Sequence, residues 1–177
     1  MSAVRIGKAG PDQAVALQAF VERTFRDTYR EHNTAEDMEQ YVAESFGLDR
    51  VRAELHDADI TYLILEKDHA VAGYAKLNRG EPTAVTLASQ PNLELCRFYI
   101  DQPFHGQGLA QKLMEHCFAA TRGQGYRGIW LGVWSQNHRA LRYYAKEGFE
   151  KVGSQIFVLG RDEQLDYILY AGQDRSI

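Results

Sequence analysis

Two stretches carry residue types whose spacing could do chemistry: HGQGLA at 105–110 and NHRALRYYAKEGF at 137–149. In the first, Gly106 and Gly108 follow a strand-like run and open a helical pattern. A glycine-rich turn at a helix N-terminus suits an anion. The first helical turn leaves its N–H groups without intrahelical partners, the dipole adds partial positive charge, and glycine lets a bulky group reach the main chain. Phosphate is the natural ligand of such a turn. The stretch lacks the Gly-Lys-Ser/Thr of a P-loop, and Gln111 stands where a dinucleotide fingerprint would need a small residue. An isolated pair of glycines is equally well explained by a loop that needs positive φ. In the second stretch Asn137, Ala140, Leu141 and Tyr144 recur at i, i+3, i+4 and i+7, one face of a helix, with Gly148 as its stop.

These residues need elements to position them. VRIGKA (4–9) predicts a first strand, and Gly10-Pro11-Asp12 punctuates it. An amphipathic helix follows, with Val15, Phe20, Thr24, Phe25 and Tyr29 at helical intervals. Asn33-Thr34 offers a cap for a second helix over Glu36–Phe46, and a shorter helix covers 48–57. TYLILEK (61–67) and AVAGYAKLN (70–78) pair as a hairpin; NLELCRFYI (92–100) is a long strand leading into the glycine turn. GIWLGVW (128–134) is apolar on both sides, as a covered central strand must be, and the 92–134 unit predicts a right-handed parallel crossover. A helix from about Gln136 to Lys146 precedes two closing strands, FEKVGSQIFVLG and QLDYILYA, separated by a turn at Gly160-Arg161-Asp162-Glu163.

The chain has 177 residues, 45% of them apolar, which fits one domain spanning 1–177 with a proper core. No apolar run approaches the roughly 20 residues of a membrane span, so no membrane role is expected. Cys96 and Cys117 fit neither a disulfide framework nor a metal-ligand spacing, which points to a reducing cytoplasm and no metal. A net charge of −4 argues against nucleic acid as a partner. The charge is uneven: Glu22 to Asp59 holds eleven acids against five arginines. Solvated helix faces explain that segment, and so does attraction of a cationic ligand.

The two motifs, in this order and separated by one strand, resemble the acyl-CoA loop and the following Asn, Ala, Tyr, Gly-Phe motif of the GNAT superfamily of N-acetyltransferases. His105 stands where that family has Gln or Arg. The resemblance implies an α+β fold, a mixed sheet of about seven strands flanked by helices. It also implies acetyl-CoA as co-substrate. The pyrophosphate would lie on His105, Gly106, Gln107, Gly108, Leu109 and Ala110, and the pantetheine arm would lie along Phe98, Tyr99 and Ile100 as an added strand. Asn137 would hydrogen-bond that arm, and Lys146 or Arg142 would reach the CoA phosphates unless they simply form a solvated face. Tyr144, rather than the adjacent Tyr143, would protonate the leaving sulfur. Glu94, two residues before Cys96, would take the amine's proton directly or through water; its alternative is a carboxylate satisfied by Arg97 or another neighbour.

Further stretches, FRDTYREHNTAEDMEQYVAESF, GYAKLN, IWLGVW and FVLGRDEQLDYIL, resemble the bacterial Pai-type polyamine acetyltransferases, in which an acid often follows the second tryptophan; Ser135, found here, could cap the next helix. The resemblance implies spermidine or spermine as acceptor. Tyr29, Glu31 and Trp134 are candidate substrate contacts, and Tyr41, Glu36 and Asp37 could join them. A peptide or protein amine, an aminoglycoside, or a CoA-binding regulator without turnover stand as alternatives, and a homodimer is left open.

Overall fold

Apolar stripes decide where the helices form and which face they bury. In the computed structural model, which describes residues 3–159 and 162–174, helix α1 (Ala14–Tyr29) buries Leu17, Phe20, Val21, Thr24 and Phe25, the i, i+3, i+4, i+7 pattern of one face. Thr34 caps α2 (Ala35–Ser45) by accepting from the Asp37 N–H at 3.1 Å, an interaction worth about 1 kcal/mol. Then come α3 (Leu48–His56), α4 (Leu109–Gly123) and α5 (His138–Lys146). Strands β1 (Val4–Lys8), β2 (Ile60–Lys67), β3 (Ala70–Arg79), β4 (Leu93–Ile100), β5 (Gly128–Trp134), β6 (Glu150–Leu159) and β7 (Asp162–Gly172) form one mixed sheet in the order β1-β2-β3-β4-β5-β7-β6.

The sheet separates two cores. On one side Leu93, Leu95, Ile129 and Leu131 pack with Leu113, Met114 and Phe118 of α4; on the other, Tyr62, Ile64 and Tyr74 pack with Phe20 and Phe25 of α1 and Phe46 after α2. β5 is central and covered, as its two apolar faces require, and it pairs parallel to β4 through the α4 crossover.

Two local features break the regularity of the sheet around β4. The β4–β5 ladder runs only through Leu93↔Ile129 and Glu94↔Trp130, and beyond these residues the strands separate. On β4's other edge the register with β3 jumps between Arg97 and Leu95, so Cys96 is a bulge residue. The bulge resets the alternation: Leu95, Phe98 and Ile100 pack toward the α4 core, while Tyr99 turns to the α1 side.

Two sequence expectations need correction. Ser135 does not cap α5; its N–H donates to the Leu165 carbonyl at 2.9 Å, extending the β5–β7 ladder, and Asn137 is the cap. Asp162 and Glu163 are not turn residues but the first residues of β7, paired with Leu159 and Val158; Gly160 and Arg161 lie outside the described residues.

Candidate active site

Where β4 and β5 part, a cleft of about 410 Å³ opens. Leu95–Ile100 form one wall, and Gly132, Val133 and Trp134 the other. Strand main chain that would elsewhere be laddered is here left to a ligand, since a buried N–H or C=O must find a partner.

One end of the cleft is built from main chain. Gly106 (φ +75°) and Gly108 (φ +72°) are left-handed, and no atom lies within 4 Å of the place a Cβ would occupy on either. Gly108 is the N-cap of α4, so the N–H groups of the first helical turn beside it have no intrahelical partner. Gly106 and Ala110 line the cleft. Leu109 is buried in the core and offers only its main chain to the loop. Gln107 is exposed, accepts from Lys67 and donates to the Pro103 carbonyl at 3.2 Å. His105 uses both ring nitrogens: Nε2–H donates to the Ile100 carbonyl at 2.7 Å, and Nδ1 accepts from the Arg139 guanidinium at 3.0 Å. That pattern belongs to the neutral ring and ties the end of β4 to α5.

Sequence reasoning missed Arg139, which lines the cleft and is exposed. Its signal was its place in the second motif, two residues after Asn137. Lys146 is exposed on α5 and is not among the residues lining the cleft. Asn137 does line it; the side-chain oxygen caps α5 by accepting from the Ala140 N–H at 3.1 Å, which leaves the amide NH₂ as the donor for a ligand. Phe98, Tyr99 and Ile100 all line the cleft, and the Tyr99 ring stacks on Tyr74 at 5.6 Å on the α1 side of the sheet.

Tyr144 is 9% exposed and lies among Phe149, Tyr143 and Phe98 with ring centroids 5.5, 5.4 and 6.5 Å away. It lines the cleft, and burial holds its phenol well above the usual range, with the Tyr29 hydroxyl close enough to add to that effect. The group is therefore a neutral proton donor at every working pH.

Glu94 sits elsewhere. It is half-buried opposite Trp130, at the last position where β4 pairs with β5, and is not among the residues lining the cleft. Burial raises its carboxyl above the ordinary value, while the Cys96 thiol, Lys76 and Arg97 pull the other way. The ammonium of Lys76 is committed to Glu54 at 2.7 Å.

The other end of the cleft is built from side chains. Phe25, Thr28 and Tyr29 of α1, Tyr41 of α2, Trp134 and Phe157 surround it. Tyr29 and Tyr99 share a hydrogen bond, and burial raises the Tyr29 phenol. Glu31 is exposed on the turn after α1, outside the cleft lining, and so is Glu36. Asp37 is turned into its own cap, accepting from the Thr34 hydroxyl at 2.7 Å. Five acids of this segment are spent on ion pairs with its own arginines, Glu22 and Glu39 with Arg26, Asp27 with Arg23 and Arg30, Asp49 with Arg52, Glu54 with Arg50. The helices of this segment do wall the cleft, but with rings rather than carboxylates. Arg97 also lines it, stacked over the Phe46 ring at 4.3 Å, without a hydrogen bond or ion pair among the described residues. The only carboxylate lining the cleft among the described residues is Asp166 of β7, which sequence reasoning did not single out.

The comparisons with known proteins agree with this geometry. A model of the acetyltransferase (GNAT) family matches residues 19–149, and the chain belongs to that family. It is 32% identical over 172 residues to an uncharacterized N-acetyltransferase of Lactobacillus delbrueckii subsp. lactis, covering 96% of this chain and 97% of that protein. It is also 32% identical over 153 residues to one of Mycobacterium tuberculosis, covering 86% and 93%. Among solved structures, the PaiA N-acetyltransferase of Thermoplasma acidophilum in complex with coenzyme A superposes with a TM-score of 0.77 at 18% identity, covering 96% of this chain and 99% of that one, a likeness of fold. The protein is thus an N-acetyltransferase with acetyl-CoA as co-substrate, and the open glycine loop with its free N–H groups fits the anion this ligand brings.

Proposed function

We propose that the protein acetylates a primary amine and that the acceptor is a polyamine such as spermidine or spermine. The observation that carries the reading is the asymmetry of the cleft: bare main chain suited to phosphates at one end, aromatic faces suited to ammonium groups at the other. Acetyl-CoA supplies an activated acyl group. Gly106, Gly108 and the α4 N-terminus would hold its pyrophosphate, with Arg139 adding charge, and the unpaired edge of β4 with the Asn137 amide would hold its pantetheine arm.

Within this reading Tyr144 protonates the departing sulfur. An alkylammonium, with a pKa of about 10.4, must first lose a proton. Glu94, off the cleft lining, would serve only through water. Cys96 and Cys117 are free thiols and no helix among the described residues is long and apolar enough to cross a membrane, which suits a cytoplasmic single-domain enzyme acting on a small molecule.

A second reading, a peptide or protein amine, draws on Arg97. A guanidinium in the cleft without an ion-pair partner favours an acceptor that also carries an anionic group. CoA release measured over spermidine, spermine, aminoglycosides and lysine peptides decides between them. Spermidine is expected to show the highest kcat/KM; a lysine peptide far above every polyamine would overturn the polyamine reading.

A further inference from the structure

Asp166 is 8% exposed, yet its carboxylate makes no hydrogen bond or ion pair with any described residue. Buried carboxylates are nearly always partnered, because an isolated charge is costly to bury. The same fold shows the ordinary solution in Glu54 of α3, held by Lys76 of β3 at 2.7 Å and by the Tyr62 hydroxyl of β2 at 2.6 Å. Asp166 instead lines the cleft. Its direction follows from register: β7 sets it beside Trp134 of β5 and Gln155 of β6, so the three side chains share one face of the sheet. On that face stands Gly132, two residues before Trp134 and exposed to the cleft. A Cβ on Gly132 would lie 3.4 Å from Asp166 Oδ2 and 2.9 Å from Gln155 Nε2. The missing side chain is the opening through which the carboxylate meets the cleft.

The groups facing Asp166 are Tyr29 of α1, whose ionisation it opposes, Trp134 of β5, Gln155 of β6 and Gln164 on its own strand, all uncharged at neutral pH. The charged or titratable groups elsewhere in the lining are Arg97 and Tyr99 of β4, Tyr41 of α2, Tyr143 and Tyr144 of α5, Cys96, His105 and Arg139; none of these cations makes an ion pair with Asp166. A protonated amine would be its first partner.

We infer that Asp166 receives the acceptor's ammonium group and takes its proton. This rests on the amine-acetylation reading. In balance, one N–H proton passes from the ammonium to Asp166, and the freed nitrogen lone pair forms the C–N bond with the thioester carbonyl. The C–S bond breaks with its electron pair on sulfur, which takes the Tyr144 proton. Tyr144 is reprotonated by the second proton the nitrogen sheds on becoming an amide, and Asp166 returns its proton to solvent. Burial pushes the Asp166 carboxyl up to about 6, so the group is ionised at neutral pH and close to the pKa that favours a general base.

The test is Asp166→Asn, which keeps the size. With spermidine or a lysine peptide, whichever the wild type acetylates, kcat/KM is expected to fall about 100-fold or more. The acid limb of the wild-type profile, with its midpoint near 6, disappears, and acetyl-CoA affinity is unchanged. The variant should melt no lower at alkaline pH. A folded-state pKa raised above the ordinary carboxylate value contributes stability at low pH and loses it as pH rises toward 6, so the neutral amide removes a cost. Calorimetric binding of spermidine and of the peptide, without acetyl-CoA, is expected to weaken at least tenfold in the variant, which corresponds to about 1.4 kcal/mol. The inference fails if turnover persists in the variant, if the acid limb follows Glu94→Gln instead, if the loss tracks a lower melting temperature, or if neither amine binds the wild type. An Asp166-dependent response to the peptide alone would sink the polyamine reading and leave Asp166 standing.

Discussion

The two ends of the cleft are made of different material. The end proposed for acetyl-CoA relies on main chain: two left-handed glycines, a helix N-terminus and a strand edge with no ladder partner. The acceptor end relies on side chains drawn from α1, α2, β5, β6 and β7. A main-chain site depends on local backbone conformation, which a short motif can specify. A side-chain site depends on which distant residues the sheet order brings together, and it can change its ligand by single substitutions.

That contrast can be broken or sharpened in four ways. Tyr144→Phe stands between the two ends and should have the largest effect, a fall in kcat of about 10²- to 10⁴-fold with acetyl-CoA affinity nearly intact. Steady-state kinetics with calorimetry checks this, and unchanged turnover removes the proton-donor role. Gly108→Val should weaken acetyl-CoA binding by about 10- to 100-fold, since a β-branched residue at φ +72° is strained by about 1–2 kcal/mol and fills the anion's approach. Equal affinity in a direct titration would show that the loop is not the phosphate site. Arg97→Met acts only on the acceptor end: kcat/KM for spermidine should hold or rise, while that for an acidic lysine peptide falls about tenfold. A uniform loss for all acceptors would reduce Arg97 to a packing residue over Phe46. His105→Ala should be the smallest, about 1 kcal/mol or a few-fold in acetyl-CoA KM, because it removes one clamp on the Ile100 carbonyl without touching the glycine main chain.

The same contrast explains what could be read from the chain. Leu17, Phe20, Val21 and Thr24 write α1 into the sequence, and the two-sided apolarity of β5 announces a central strand. Gly106, Gly108, Asn137 and Tyr144 could be placed because each lies within one element and its immediate turn. Glu94 and Asp166 are both acids in strands, and residue type alone does not tell them apart. The useful signal was phase: Asp166 alternates with Gln164 and Ile168, while Leu165 between them is exposed, so the polar pair lies on the covered face. Its exposure to the cleft also needs Gly132 across the ladder, a tertiary fact. Glu31, Glu36 and Asp37 looked suited to a cation by charge alone, but Glu31 and Glu36 lie outside the cleft lining and Asp37 accepts from a capping threonine. The bulge at Cys96 was invisible because no glycine or proline marks it.

The two-pair contact between β4 and β5 has a thermodynamic consequence. Four strands on one side and three on the other are joined by a short ladder, so a co-substrate seated where they part, as proposed, would add to the protein's cohesion. Acetyl-CoA at about 100 times its dissociation constant adds roughly 2.7 kcal/mol to the folded state, or about 5–10 °C in melting temperature for a chain of this size. Amide exchange along Cys96–Tyr99 should slow most. Enzyme starved of acetyl-CoA would then be the form that opens first and is cleaved first by proteases, which makes the lifetime of the protein a reporter of its own supply of acetyl groups.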